Sequence, residues 1–355
     1  MENGYKLNFN YEREDIKLFP KNSKTCLFQF LNSIIFSAIP SIYIENFLKL
    51  QEKISELNWP KNPKFIFTSN SFDTNEIFKG WVGRNINKSV PYFTGQHGNN
   101  YGQHVFEGRS NWPERSTSDG FLTWGWDDGF KTNLKGFNFK KQIRRPNIYK
   151  NDGIVLITTC VMFRYFPWDV VSEYKDNLKE QYNFLENLSE DIFGKVTVRL
   201  HHSSSVKDNI DQFGEKENLK DRFPNIKIDD GKTKLQSIVN KNKLFVFSYD
   251  GTGILEFLNS NIPFIAFWPD QTNHLIDDDE VSNLYNEFYK VGIFFKNGND
   301  AAKSLNKSWH LIEIWWNSNE VVLAKEKFKQ RFSVCKINPK HNVGKILNNL
   351  IKNGK

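Results

Sequence analysis

From residue 151 onward the chain alternates short unbroken apolar runs with stretches in which apolar residues recur every three or four positions. The runs are Ile154 to Thr158, Val196 to Leu200, Ile226 to Ile228, Leu244 to Phe247 and Phe264 to Phe267. They are too short for helices and rich in β-branched and aromatic side chains, so they predict strands. Between them, Trp168 to Leu188 sets Val171, Tyr174, Leu178, Tyr182 and Leu185 along one helical face, and Leu235 to Val239 predicts a second helix. Helices are also predicted over Val281 to Lys290, Ala301 to Trp316 and Glu320 to Phe332. Strands that are apolar throughout and separated by helices predict a parallel sheet covered on both faces. Such a sheet takes its ligand beyond the carboxyl ends of its strands.

The front half reads differently. A buried helix is predicted from Leu27 to a stop near Pro40, and a second from about Ser41 to Leu57. The apolar run from Leu27 to Ile44 is broken by Gln29, Asn32, Ser33, Ser37, Pro40 and Ser41, which suits a bilayer span poorly. Three strands are predicted, at Lys64 to Thr68, Pro91 to Thr94 and Gly120 to Trp124. Residues 131–150, rich in Lys and Asn and carrying Arg144-Arg145-Pro146, read as an interdomain linker. The expected organisation is therefore an N-terminal lobe over 1–145, a C-terminal lobe over 151–335 and a helical tail over 336–355. Three front strands are fewer than a complete lobe carries, and an open sheet leaves unpaired edges. The N-terminal lobe is expected to be incomplete, with a second polypeptide supplying the missing strands.

Candidate chemistry gathers at two loops. Asp250-Gly251-Thr252-Gly253 follows the strand Leu244 to Phe247 and opens a helix, so its backbone amides and the Thr252 hydroxyl face outward at a helix N-terminus. Unsatisfied N–H groups and the helix dipole favour a phosphate or diphosphate there. Glu256, four residues past Thr252, shares its face and suits ribose or sugar hydroxyls. The plainer alternative is a strand-to-helix turn with Asp250 or Thr252 as N-cap. Arg199, His201 and His202 follow another predicted strand at the same sheet edge and suit an anionic ligand. The second loop, Thr94-Gly-Gln-His-Gly-Asn-Asn-Tyr-Gly102, combines glycines with hydrogen-bonding side chains, which permits close approach of backbone to ligand. Its His97 is a candidate general base or phosphate donor, or else a structural histidine. The acidic run Asp277-Asp278-Asp279-Glu280, preceded by Asp270, reads as a helix-capping run rather than a metal site. Trp309, Trp315 and Trp316 read as packing aromatics, not a sugar platform.

Composition narrows the classes. The chain has 355 residues, a net charge of +7, 32 Phe and 10 Trp, which is enough apolar material for two domains. Its lysines are scattered rather than blocked, which argues against a nucleic-acid groove and leaves anionic substrates, an anionic membrane surface or a merely solvated face. Cys26, Cys160 and Cys335 form neither a zinc spacing nor a disulfide framework, and the first residues lack signal-peptide organisation. A cytoplasmic protein is expected, with peripheral contact at the inner membrane surface. Walker, nucleophile-elbow and dinucleotide motifs are missing from the sequence.

Taken together, several segments resemble the LIC12162 family of surface-polysaccharide (O-antigen) transferases, relatives of capsule and Kdo-type GT-B glycosyltransferases. These are Gln96-His97-Gly98-x-x-Tyr101-Gly102 with Phe121-Leu-Thr-Trp-Gly-Trp126, Val198-Arg199-Leu200, Thr252-Gly253-x-x-Glu256, Asn261-Ile-Pro263, Val291-Gly-Ile293 and Ile314-Trp315-Trp316. The resemblance spans roughly residues 35–335 and implies an α/β fold of two facing Rossmann-like lobes, with the donor nucleotide on the C-terminal one. It implies transfer of a sugar from a nucleotide-activated donor to a glycan or lipid-linked glycan acceptor.

The site expected on these grounds places Arg199, His201, Asp250, Thr252, Gly253 and Glu256 on the donor and His97 at the acceptor, with Gln96, Gly98 and Tyr101 shaping the loop. No metal and no cofactor beyond the nucleotide-sugar substrate is expected. Two other readings stay open: a polyol phosphotransferase using a CDP-alcohol, and a non-catalytic glycan- or nucleotide-binding descendant.

Overall fold

Six strands fix the architecture around the candidate phosphate turn. The structure, a computed structural model, describes residues 27, 30, 31, 34, 38–105, 112–140, 142–144, 151–159, 170–201, 214–269, 275, 276, 278–336 and 338–352. Expectations resting on Cys26, Cys160, His202, Asp270 and Asp277 lie outside these residues. The chain divides into two compact units, Met1–Phe93 and Thr94–Lys355.

In the first unit the helices α1 (Phe47–Glu56) and α2 (Glu76–Ile86) accompany strand β1 (Ile66–Thr68). Leu50, Ile54 and Ile77 form a small apolar cluster there. The buried helix expected from Leu27 is not what its described residues show: Leu27 is 62% exposed, Phe30 57% and Ile34 39%. Apolar content alone does not say which face will find a partner. The next helix begins with one 3-10 turn, Ser41–Tyr43, before α1.

Strand β2 (Tyr92–Gly95) carries the unit boundary, and β3 (Gly120–Leu122) and β4 (Asn133–Leu134) follow. The sheet runs in the order β1-β2-β3-β4, with β3 and β4 parallel. It has one strand more than expected, because the two-residue β4 is below the length at which a pattern can be read. The expected linker is packed at its described residues within 131–140 and 142–144. Phe137 is fully buried, the Asn138 amide donates to Ser333 Oγ at 3.0 Å, and Ile143 N–H donates to Ser260 Oγ at 3.0 Å. The boundary expected at residues 145–151 thus lies inside the second unit.

The second unit contains a six-stranded sheet of β5 (Gly153–Ile157), β6 (Val196–Arg199), β7 (Lys227–Asp229), β8 (Asn242–Phe247), β9 (Phe264–Phe267) and β10 (Phe294–Phe295). Its order is β10-β9-β8-β5-β6-β7 and every pair is parallel. Read in chain order this is 3-2-1-4-5-6, the doubly wound arrangement whose ligand crevice opens where the order reverses, between β5 and β8. Its helices include α3 (Val170–Glu186), α4 (Glu215–Arg222), α5 (Leu235–Val239), α6 (Thr252–Asn259), α7 (Asp279–Lys290), α8 (Gly298–Ser308), α9 (Asn319–Phe332) and α10 (Pro339–Lys352). Period-two alternation along the strands feeds two cores: Val155, Phe245, Phe247 and Phe264 on one face, Ile154, Leu156, Leu244 and Val246 on the other. The helix expected over Ala301 to Trp316 is broken by a 3-10 turn at Trp309–Leu311. Trp309 and Trp316 are buried packing residues, as expected.

Helix α6 stands close to β8 because Gly253 carries no side chain. A Cβ there would lie 2.6 Å from the Phe247 ring, which is buried between Phe257 and Phe264. Gly253→Ala is expected to lower stability by about 1–3 kcal/mol through this overlap, read as a reduced urea midpoint with an unchanged m-value.

Candidate functional site

The Asp250–Gly253 turn follows β8, one of the two strands that flank the reversal of order, so the fold carries it to the crevice. Its N-cap is Gly251, with φ −136° and ψ 170°, and no side chain caps the helix. The plainer expectation of Asp250 or Thr252 as N-cap is therefore not realised. The first amides of α6 are left without a side-chain acceptor, the usual condition for anion binding.

Asp250 has a different task. Its side chain is 3% exposed. The carboxylate accepts from the Asn99 amide at 2.6 Å and from the Tyr285 hydroxyl at 2.6 Å, and it pairs with His104 Nε2 at 3.2 Å. Asn99 N–H donates to Thr252 Oγ1 at 3.0 Å, and the Asn100 amide reaches the Asp250 carbonyl at 3.4 Å. The His97 loop is thus seated on the N-terminus of α6. Gly98 permits the seat, since a Cβ there would stand 3.0 Å from Thr252 Oγ1. Burial, and next the Asp250 charge, push the Tyr285 phenol well above its ordinary range, so it remains a donor at neutral pH.

The loop is also braced from behind. Gln96 is buried; its Oε1 accepts from Trp124 N–H at 2.9 Å and Trp126 Nε1–H at 2.8 Å, and its Nε2 donates to the Gly98 carbonyl at 2.8 Å. Gly102 has φ +71°, and a Cβ there would fall 2.5 Å from the Trp126 ring. Tyr101, 1% exposed, stacks on Phe121 with centroids 5.8 Å apart. Its hydroxyl lies 2.9 Å from His97 Nδ1 and donates to Glu114 Oε1 at 2.8 Å. His97 itself is exposed.

The structure therefore brings Gln96, His97, Gly98, Tyr101, Asp250, Thr252 and Gly253 together. Gln96 and Tyr101 are buried supports, not loop surface. Arg199 is engaged elsewhere: its guanidinium pairs with Asp229 at 2.5 Å and donates to the Gly231 and Thr233 carbonyls, each at 3.0 Å. It lies on β6, two strands from β8, and ties that edge of the sheet. The His201 imidazole is held below its usual range by burial, with Glu215 opposing and Arg199 adding to the effect. Glu256 pairs with Lys140 at 3.0 Å. Asp278 caps α7 by accepting from Glu280 N–H at 2.8 Å and Val281 N–H at 3.2 Å, as expected for that acidic run. A cavity of about 730 Å³ lies at the other end of α6, beside Asn259 and Cys335, away from the His97 loop. The residues missed from sequence are Asn99, His104, Glu114 and Tyr285. Asn99 and His104 lie in or next to the polar loop, whereas Glu114 and Tyr285 join it only through the fold.

Fold and site define a parallel α/β protein whose polar loops meet at the crevice of a doubly wound sheet. The LIC12162 family transferase model matches residues 3–347, and the chain belongs to that family of transferases. No curated protein matches. Three solved structures are similar at low identity. Accessory secretory protein 1, 2 and 3 of Streptococcus pneumoniae is 14% identical with a TM-score of 0.44, covering 87% of this chain and 58% of that one. This chain thus spans under two thirds of that protein's length. Acinetobacter baumannii MurG is 10% identical with a TM-score of 0.41, covering 85% and 77%. The wall teichoic acid polymerase TagF, an H444N variant soaked with CDPG, is 12% identical with a TM-score of 0.40, covering 93% and 99%.

Asp250→Ala removes the carboxylate shared by Asn99, His104 and Tyr285. It is expected to cost about 3–5 kcal/mol and to speed amide exchange across residues 96–104. Tyr285→Phe, which removes a single donor, should cost about 1–2 kcal/mol; urea unfolding and hydrogen exchange check both.

Proposed function

We propose that this transferase moves a sugar from a nucleotide-activated donor to a cell-surface polysaccharide or O-antigen acceptor, within a GT-B-like pair of lobes and without a metal. The observation that carries the reading is the seating of the His97 loop on the N-terminus of α6, through Asn99, Thr252 and Asp250. It sets a candidate base beside uncapped helix amides at the crevice of the sheet.

In the proposed reaction the amides of Thr252 and Gly253 bind the donor phosphate. The Thr252 hydroxyl accepts from Asn99 N–H and turns its own proton to a phosphate oxygen. As the bond from sugar C1 to phosphate oxygen breaks, negative charge grows on that phosphate, where fixed donors stabilise it most. His97 takes the proton from the acceptor hydroxyl as the new bond to C1 forms. Glu256, which pairs with Lys140, is proposed to accept from hydroxyls of the ribose or sugar. Arg199, committed to Asp229, stays outside the proposed phosphate site. The protein works in the cytoplasm at the inner membrane surface; among the described residues no helix is long and apolar enough to cross a membrane.

A thermal-shift screen against CMP-, CDP-, UDP-, GDP- and dTDP-sugars should give a rise for one nucleotide class, since a bound donor stabilises by mass action. With that donor, Thr252→Val should lower turnover by about 10²–10³-fold and His97→Gln by about 10²–10⁴-fold, with unchanged far-UV circular dichroism. Full turnover in both variants would remove the site from the reaction. Retention of the donor's phosphate in the product would identify polyol-phosphate transfer instead. EDTA is expected to leave turnover unchanged; loss restored by magnesium or manganese would overturn metal independence.

A further inference from the structure

We infer that Tyr101 and Glu114 form a buried relay that fixes the tautomer of His97, presenting Nε2 as the unprotonated nitrogen. The inference deepens the proposed function, because it rests on His97 as the base, but its geometry stands apart from any substrate. Three groups lie in line: His97 Nδ1, the Tyr101 hydroxyl at 2.9 Å, and Glu114 Oε1 a further 2.8 Å on. A phenol has one proton. A carboxylate can only accept, so the Tyr101 proton is directed to Glu114 and the hydroxyl oxygen must accept from His97. The proton of a neutral His97 therefore sits on Nδ1, and Nε2 keeps its lone pair.

Burial is asymmetric along the line. Glu114 and Tyr101 are 2% and 1% exposed, whereas His97 is exposed at the loop surface. The Glu114 backbone is anchored. The Glu114 carbonyl accepts from Thr94 Oγ1 and, at 2.8 Å, from Ser118 Oγ, while the neighbouring Arg115 is paired with Asp128 at 2.8 Å. Tyr101 is locked by its stack on Phe121. The imidazole meets the phenol ring edge-on, at 5.3 Å and 78°, a geometry that keeps its Nδ1 edge on the hydroxyl.

When Nε2 takes a proton, the new imidazolium is two hydrogen bonds from a buried carboxylate that has lost its water. That favours the charged form as it develops. The arrangement performs the orienting work of a carboxylate on a catalytic histidine with a phenol interposed. Tyr101 and Glu114 are positioning residues; neither is exposed to substrate.

The test is nitrogen-15 NMR of the full chain labelled at histidine, with the His97 signals assigned by their loss in His97→Gln. The expected result is neutral His97 protonated at Nδ1. Tyr101→Phe should shift it toward the Nε2–H form that a free histidine side chain favours. Glu114→Gln keeps an acceptor for Tyr101 but removes the charge. It should retain the Nδ1–H tautomer while moving the His97 titration to lower pH. The rate of His97 ethoxycarbonylation by diethyl pyrocarbonate against pH should move in the same direction. His97 protonated at Nε2 in the unaltered protein, or a tautomer unmoved by Tyr101→Phe in protein that still melts cooperatively, would overturn the relay. Glu114→Gln leaving both pH dependences in place would do the same. A relay confirmed by NMR with full transferase turnover in His97→Gln would instead overturn the proposed role of His97, so the two failures are distinguishable.

Discussion

The buried carboxylate of Asp250 is the constraint around which the candidate site is arranged. A charge almost removed from water is tolerated only when donors surround it. Here those donors come from two places in the chain: Asn99 and His104 in the loop after β2, and Tyr285 on α7. Satisfying one anion therefore fixes a loop and two helices together. Asp250 is thereby unavailable as a cap for α6, whose N-cap is Gly251.

The same economy appears in the support of the loop. Gln96 answers two tryptophan-segment donors and one carbonyl from a single amide, and the left-handed backbone at Gly102 brings the Trp126 ring against the chain. Tyr101 and Glu114 then complete a polar line through an otherwise aromatic core, with Arg115 lying over the rings of Trp126 and Phe130 at 5.4 and 4.7 Å. A polar network inside an aromatic shell is held in one geometry, because any slip would leave desolvated groups unpaired. Such stiffness suits a loop that must hold an exposed histidine against a helix terminus.

Membership of a transferase family and this geometry bear on different questions. The family match covers nearly the whole chain and establishes the class. The location of the Asp250–Gly253 turn at the reversal of strand order comes from the sheet itself.

Periodicity alone determined the parallel sheet of the second unit, because strands buried on both faces must be apolar at every position and their helices must turn an apolar face inward. It also marked the Asp250–Gly253 turn and the His97 loop, whose glycines and polar side chains cannot belong to a core. Short or conditional elements escaped it. The two-residue strands Asn133–Leu134 and Phe294–Phe295 have no readable period, and the exposure of Leu27 and Phe30 depends on what packs beside them. Only the tertiary structure decided the pairings. Arg199 looked like an anion ligand by type, but Asp229 lies within reach on the adjacent strand and takes it. Glu114 and Tyr285 carry no local signal at all, since a buried hydrogen bond between residues 13 or 35 positions apart exists only once the chain has folded.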